Sequence, residues 1–150
     1  DEAAALNGGI AGHAGLFSNA GELFAICQML LDQGEYQGQR YLKAETIKEF
    51  NKRHFEKHNN RRGLGFDKPL ISSPSNHCSK YCSQESFGHS GFTGTYFWIE
   101  PQNNTIFIFL SNRVYPDAKT NKLAQMNIRT DIQDLIYESL KMNLEKNESK

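Results

Sequence analysis

The residues of this chain best placed to do chemistry lie in Phe87-Gly88-His89-Ser90-Gly91-Phe92-Thr93-Gly94-Thr95, where an imidazole and a hydroxyl stand among three glycines at the head of an apolar run. Imidazole titrates near neutral pH, so His89 is a candidate for proton transfer or for orienting an anion. Gly91 has no side chain, which lets another backbone or a ligand lie against the strand. An open strand edge there offers N–H and C=O groups on which an extended substrate binds as an added strand. The structural alternative is a histidine satisfied by hydrogen bonds at a strand start, with glycines that relieve crowding. Asn112 and Arg113 end the next apolar run and either reach the same substrate or bond to nearby backbone.

Other reactive side chains are less well accompanied. His13, in a glycine-rich stretch, has no acid or nucleophile beside it and is read as a loop-packing hydrogen-bond donor, the alternative being a place at a site mouth. His54, His58 and His77 fall in polar stretches and are assigned no role. Cys78 and Cys82 adjoin His77, but a four-ligand zinc site needs two separated ligand pairs and only one cluster is present. Loop thiols or a local disulfide is the preferred reading, Cys27 is read as a small buried hydrophobe, and neither metal nor organic cofactor is expected.

These residues need elements to hold them. Gly8 to Gly15 contains four glycines and is expected to form a tight irregular loop. Ser18 or Asn19, with Glu22 after it, caps a helix whose Leu23, Cys27, Leu30 and Leu31 share a face and which Gly34 ends. A weaker helix from Leu42 to about Arg53 sets Ile47 and Phe50 on one face. Arg62 to Asp67 is compatible with a short strand. Lys68 to Ser86, rich in Ser and Pro, reads as a loop without residues to build a core.

Thr93 to Glu100 and Thr105 to Asn112 form a hairpin around Pro101-Gln102-Asn103-Asn104. Ile106 to Leu110 is apolar without alternation, which predicts cover on both faces, as in the centre of a sheet layered between helices. Ile128, Ile132, Leu135, Ile136 and Leu140 predict an amphipathic helix returning over the hairpin. The fold class is therefore α+β, an antiparallel sheet covered by helices, in which the sheet needs more strands and a further helix than the chain supplies. Seventeen basic residues balance seventeen acidic ones, so no charge field gathers nucleic acid, and no apolar run is long enough for a membrane span.

Four segments stand in order: Gly8-Gly-Ile-Ala-Gly-His-Ala-Gly-Leu-Phe-Ser18, Arg62-Gly-Leu-Gly-Phe66, Phe87 to Thr95, and Leu110-Ser-Asn-Arg-Val-Tyr-Pro116 before the terminal helix. Together they resemble the C-terminal part of the serine beta-lactamase-like family of class C beta-lactamases, DD-peptidases and esterases. His89-Ser90-Gly91 matches the Lys-Thr-Gly or His-Thr-Gly triad on that family's active-site strand.

The resemblance implies that Ser90 bonds a substrate carboxylate or assists proton transfer, that Gly91 lets substrate approach, and that the Phe92 N–H is one of two oxyanion-hole donors. Histidine in place of the commoner lysine lessens permanent positive charge, which shifts the expected substrate from beta-lactams toward a peptidoglycan-type peptide or small ester. The family's nucleophile box, Ser-x-x-Lys, and its Tyr-x-Asn or Ser-x-Asn element are not found in these residues.

The chain is thus expected to be the C-terminal part of a single domain, inactive alone. Its partner would be the missing N-terminal half or a second copy, and the parent a serine hydrolase of the bacterial periplasm or cell envelope that takes a small-molecule or peptide substrate. The alternative is a non-catalytic module that binds a partner chain through an open strand edge.

Overall fold

The computed structural model describes every residue except 1, 10, 13, 59, 72–76, 149 and 150. After a short α1 (Glu2–Leu6), Gly8, Gly9 and Gly15 all take positive φ. His13, within that loop, lies outside the described residues. Helix α2 (Ala20–Leu31) begins where Asn19 Oδ1 accepts the Glu22 N–H at 3.1 Å and Ser18 Oγ donates to the Glu22 carboxylate at 2.6 Å. It stops at Gly34, whose positive φ lets its N–H reach Met29 O at 2.8 Å. A small hairpin, β1 (Glu35–Tyr36) and β2 (Gln39–Arg40), turns through Gln37 and Gly38, both at positive φ, and leads to α3 (Ala44–Asn51).

Among the described residues β3 (Phe87–Ser90), β4 (Tyr96–Glu100) and β5 (Thr105–Phe109) form an antiparallel sheet in that order. Two cores follow from the pleat, since alternate residues face opposite sides. On one face α2 and α3 bury Cys27, Leu30 and Ile47 against Phe87 and Ile99, with Phe97, Ile106 and Ile108 beside them. On the other, Tyr96 and Trp98 stack at 5.7 Å over Cys78, flanked by Phe107 and Phe109. Burial pushes the Cys27 thiol up to about 11, as expected of an inert core sulfur.

Several expectations are corrected. The strand Ile106 to Leu110 lies at an edge, not in the centre: β5 pairs only with β4 among the described residues, and it is half-buried along its length. Its apolar run reflects cover from both faces, a property that does not depend on having two neighbours. The hairpin strands are also shorter than expected, because Gly91 N–H bonds Thr95 O at 2.8 Å and Gly94 N–H bonds Gly91 O at 3.0 Å, folding residues 91–95 into the turn. Arg62 to Asp67 contributes a single bridge, Asp67 to Gly88, in place of a strand. Phe50 does not share the burial of Ile47, for it is 47% exposed where Ile47 is 3%.

The described residues of the Lys68 to Ser86 segment form neither helix nor strand, yet Cys78 and Cys82 join the second core, and Lys68 packs on the α3 side by Phe87. Lys68, Cys78, Ser79 and Ser86 are buried. Its polar groups are tolerated there because each finds a partner. Ser79 N–H donates to Gln133 Oε1 at 2.9 Å, Ser79 Oγ to Asp134 at 2.5 Å, and the Trp98 indole N–H to Ser86 Oγ at 3.0 Å. This also explains the terminal helix α5 (Ile128–Glu148), which follows α4 (Lys122–Gln125). It buries Gln133 and Tyr137, while Leu135 of the expected apolar stripe is 62% exposed. A polar loop below a helix selects a polar helix face. The buried Glu100 completes the layer by accepting from Ser83 N–H, Ser83 Oγ, Gln102 N–H and the Tyr137 hydroxyl.

Candidate active site

The site is built on the free edge of β3. Gly88 exchanges both backbone hydrogen bonds with Asp67, N–H to O at 3.1 Å and O from N–H at 2.8 Å, so its polar groups point away from β4. In an antiparallel ladder the outward groups recur every second residue, which turns the N–H and C=O of Ser90 to the same edge. The Asp67 bridge covers that edge only as far as Gly88. Beyond it the Ser90 and Phe92 N–H groups have no hydrogen-bond partner among the described residues. Ser90, Gly91 and Phe92 are all exposed, Phe92 at 73%.

Strand alternation splits the triad. Phe87 belongs to the α2 face, so His89 shares that face, whereas Gly88 and Ser90 belong to the face of α5. The imidazole is half-buried, with Nδ1 at 3.0 Å from Ser90 O. Histidine and serine are therefore neighbours along the edge without opening on one pocket.

Ser90 and Phe92 open onto a cavity of about 250 Å³ that Gly91, Arg113, Leu123 and Arg129 also line. Gly94, at positive φ, lets this wall close up, since a Cβ there would approach Leu123 Cδ2 to 2.8 Å. The Arg113 guanidinium lies 4.5 Å from the Phe92 ring centroid and donates to Ala118 O and Thr120 O. Arg129 is 5.4 Å from the Tyr96 ring and donates to Gly94 O and Thr95 O, both at 3.4 Å. Burial holds Arg129 below the usual arginine range, and Arg113 adds to that effect. Among the described residues no carboxylate lines the cavity, so two cations meet there without a counterion. The place suits an anion.

Of the residues expected from sequence, Ser90, Gly91, Phe92 and Arg113 come together here. Asn112 is exposed and does not line the cavity. Arg129 was not expected. Its signal was legible, because a cation in the first turn of a helix opposes the helix dipole and calls for a local reason. Among the described residues no group of three His, Cys, Asp or Glu is placed to hold a metal. His77 Nε2 instead lies 3.1 Å from Lys68 O.

A family model described as Beta-lactamase matches residues 1–130. A protein of Escherichia coli (strain K12) named "Putative D-alanyl-D-alanine carboxypeptidase" is 34% identical over 120 residues, covering 79% of this chain and 27% of that protein. A Salmonella gallinarum protein of the same name is 32% identical over 143 residues, covering 89% of this chain and 33% of its own length. The chain thus spans a third or less of the curated relatives it matches.

Proposed function

The chain belongs to the beta-lactamase family, and on that premise we propose that it forms one bank of a serine acyl-transfer site, the nucleophile coming from a segment with Ser-x-x-Lys and Tyr-x-Asn. The observation behind this reading is the outward Ser90–Phe92 backbone opening onto a cavity with two unneutralised arginines. Attack on the acyl carbonyl places negative charge on its oxygen. The Phe92 N–H, which has no acceptor among the described residues, would donate to that oxygen, and one such donor lowers a barrier by roughly 3 kcal/mol.

A carboxylate next to the scissile bond would bind Arg113, Arg129 and the Ser90 hydroxyl on the α5 side. His89, on the opposite face, would act on the nucleophile's side, where a neutral imidazole accepts a proton and a charged one steadies an anion. The substrate on this reading is a peptide or ester with a carboxylate near the reacting carbonyl. That agrees with the carboxypeptidase name of the relatives, and with a setting in the bacterial cell envelope. No described helix is long and apolar enough to cross a membrane.

Supplying the Ser-x-x-Lys segment, in the same chain or as a separate one, should give turnover of an activated ester that neither piece shows alone. A folded, soluble complex without turnover would refute the proposal. The rival reading, a module that binds a partner chain, draws on the open edge of β5 and on exposed Leu6, Leu16 and Phe17. It would be favoured if the complementing segment bound and no acyl-enzyme formed.

A further inference from the structure

A second cavity, of about 390 Å³, lies at the other end of β3, under the C-terminus of α3, and the mechanism above makes no use of it. Its floor is Lys68, only 4% exposed. The ammonium group donates to Asn51 Oδ1 at 2.8 Å and to Glu85 O at 3.3 Å, both neutral acceptors, and sits 5.9 Å from the Phe87 ring. An ammonium has three donors, and these contacts use two. Beside it Arg53 is likewise held by neutral oxygens, Nη2 by Pro69 O and Gln84 Oε1 and Nη1 by Gln84 O. Its Nε is buried with no partner.

Lys48 and Lys52 stand at the mouth of this cavity. The carboxylates in its wall are Glu56 and Glu85, and the Glu85 carboxylate already accepts from Gln102 Nε2 at 2.9 Å. Four cations thus face two acids, and neither of the two deepest cations is ion-paired. Burying a charge without a counterion is costly, and an ordinary core position would carry an apolar residue instead. Burial and the nearby Arg53 lower the Lys68 amine to about 8, while Glu85 and Glu100 act in the opposite direction without forming an ion pair with it.

We propose that this cavity is a binding site for a phosphate-like dianion, held by the third Lys68 donor and the Arg53 Nε–H, with Lys48 and Lys52 closing over it. It is separate from the Ser90 edge, because β3 runs between them. Both inner donors are held by the loop and by the chain just after α3, and both are buried, so the wall shifts outward to admit the ligand.

The test is a titration of the intact, 15N-labelled protein with inorganic phosphate at constant ionic strength, against sodium chloride alone. The Arg53 Nε–H resonance, identified by its loss in Arg53→Lys, should shift and saturate with phosphate and not with chloride. Lys68→Met keeps the apolar stem and removes the charge, and it should weaken the binding read from that resonance by about tenfold or more. If that variant does not fold, Arg53→Lys carries the comparison, with affinity read from backbone amides of residues 51 to 53. A resonance that phosphate leaves in place, or binding undiminished in every folded variant, overturns the proposal. Neither outcome bears on acyl transfer, which is read from ester turnover.

Discussion

Gly88 is the residue on which the geometry of the site edge most depends, and replacing it with alanine gives a demanding test. A Cβ at this position would overlap Phe97 O and lie 2.5 Å from Trp98 Cε3 and 2.9 Å from Trp98 Cα. None of these can yield easily. Phe97 O belongs to the β4 backbone, and Trp98 is 1% exposed, stacked on Tyr96 and tied through its indole N–H to Ser86 Oγ at 3.0 Å.

Relief requires β3 to move away from β4, which stretches the β3–β4 ladder, presses Gly88 against Asp67 and displaces the edge that presents Ser90. Overpacking of this kind costs about 1–3 kcal/mol, and strain on the Ser86 and Asp67 hydrogen bonds adds about 1 kcal/mol. Gly88→Ala should therefore lose roughly 3 kcal/mol, a large part of the 5–15 kcal/mol typical of a domain. Trp98 is the chain's single tryptophan, so urea unfolding followed by its fluorescence reads both stability and local packing. A variant within about 1 kcal/mol of wild type, with unchanged emission, would refute the reasoning.

Glu100→Gln should cost about 2 kcal/mol or more in the same assay. The substituted amide NH2 must face donors that a carboxylate accepts from four sides. Lys68 gives a pH signature: its amine is lowered from 10.5 to about 8 in the fold, so above pH 8 the unfolded chain holds more protons and stability rises with pH, by at most about 1.4 kcal/mol per unit. Unfolding free energies should show wild type gaining on Lys68→Met from pH 8 upward. In absolute stability this gain is opposed from about pH 9.0, where the unfolded Cys27 thiol ionises while the buried one, raised to about 11, does not, but that contribution is common to both proteins and cancels in their difference. Asn19→Ala should cost about 1 kcal/mol by releasing the Glu22 N–H at the start of α2, measured as a lower urea midpoint.

Local patterns made much of this fold legible. The Asn19 cap, the Gly34 stop and the hairpin around residues 101–104 each depend on neighbours within a few residues, whereas Ser90, expected at the head of the Thr93–Glu100 strand, ends a separate strand that pairs antiparallel with it. What sequence did not convey depends on distant partners. Ser79 is held by Gln133 and Asp134, more than fifty residues away, so a polar loop became core and a helix turned its glutamine inward. Arg129 reached the cavity by the same route, through α5 folding back on the β3–β4 turn. The separation of His89 from Ser90 was available from strand alternation alone, whereas which face meets an arginine pocket required the helix to be placed.

The proposed bank of the acyl-transfer site is tested most directly by comparing kcat/KM for two activated esters, one with a carboxylate beside the reacting carbonyl and one neutral, in the protein that includes the Ser-x-x-Lys segment. Arg129→Gln should lower kcat/KM for the charged ester by about tenfold to a hundredfold, the loss of one charge-assisted contact, and leave the neutral ester nearly unchanged. Equal losses on both esters, or none on either, would contradict the assignment of the Ser90–Phe92 edge and its arginines to a single substrate.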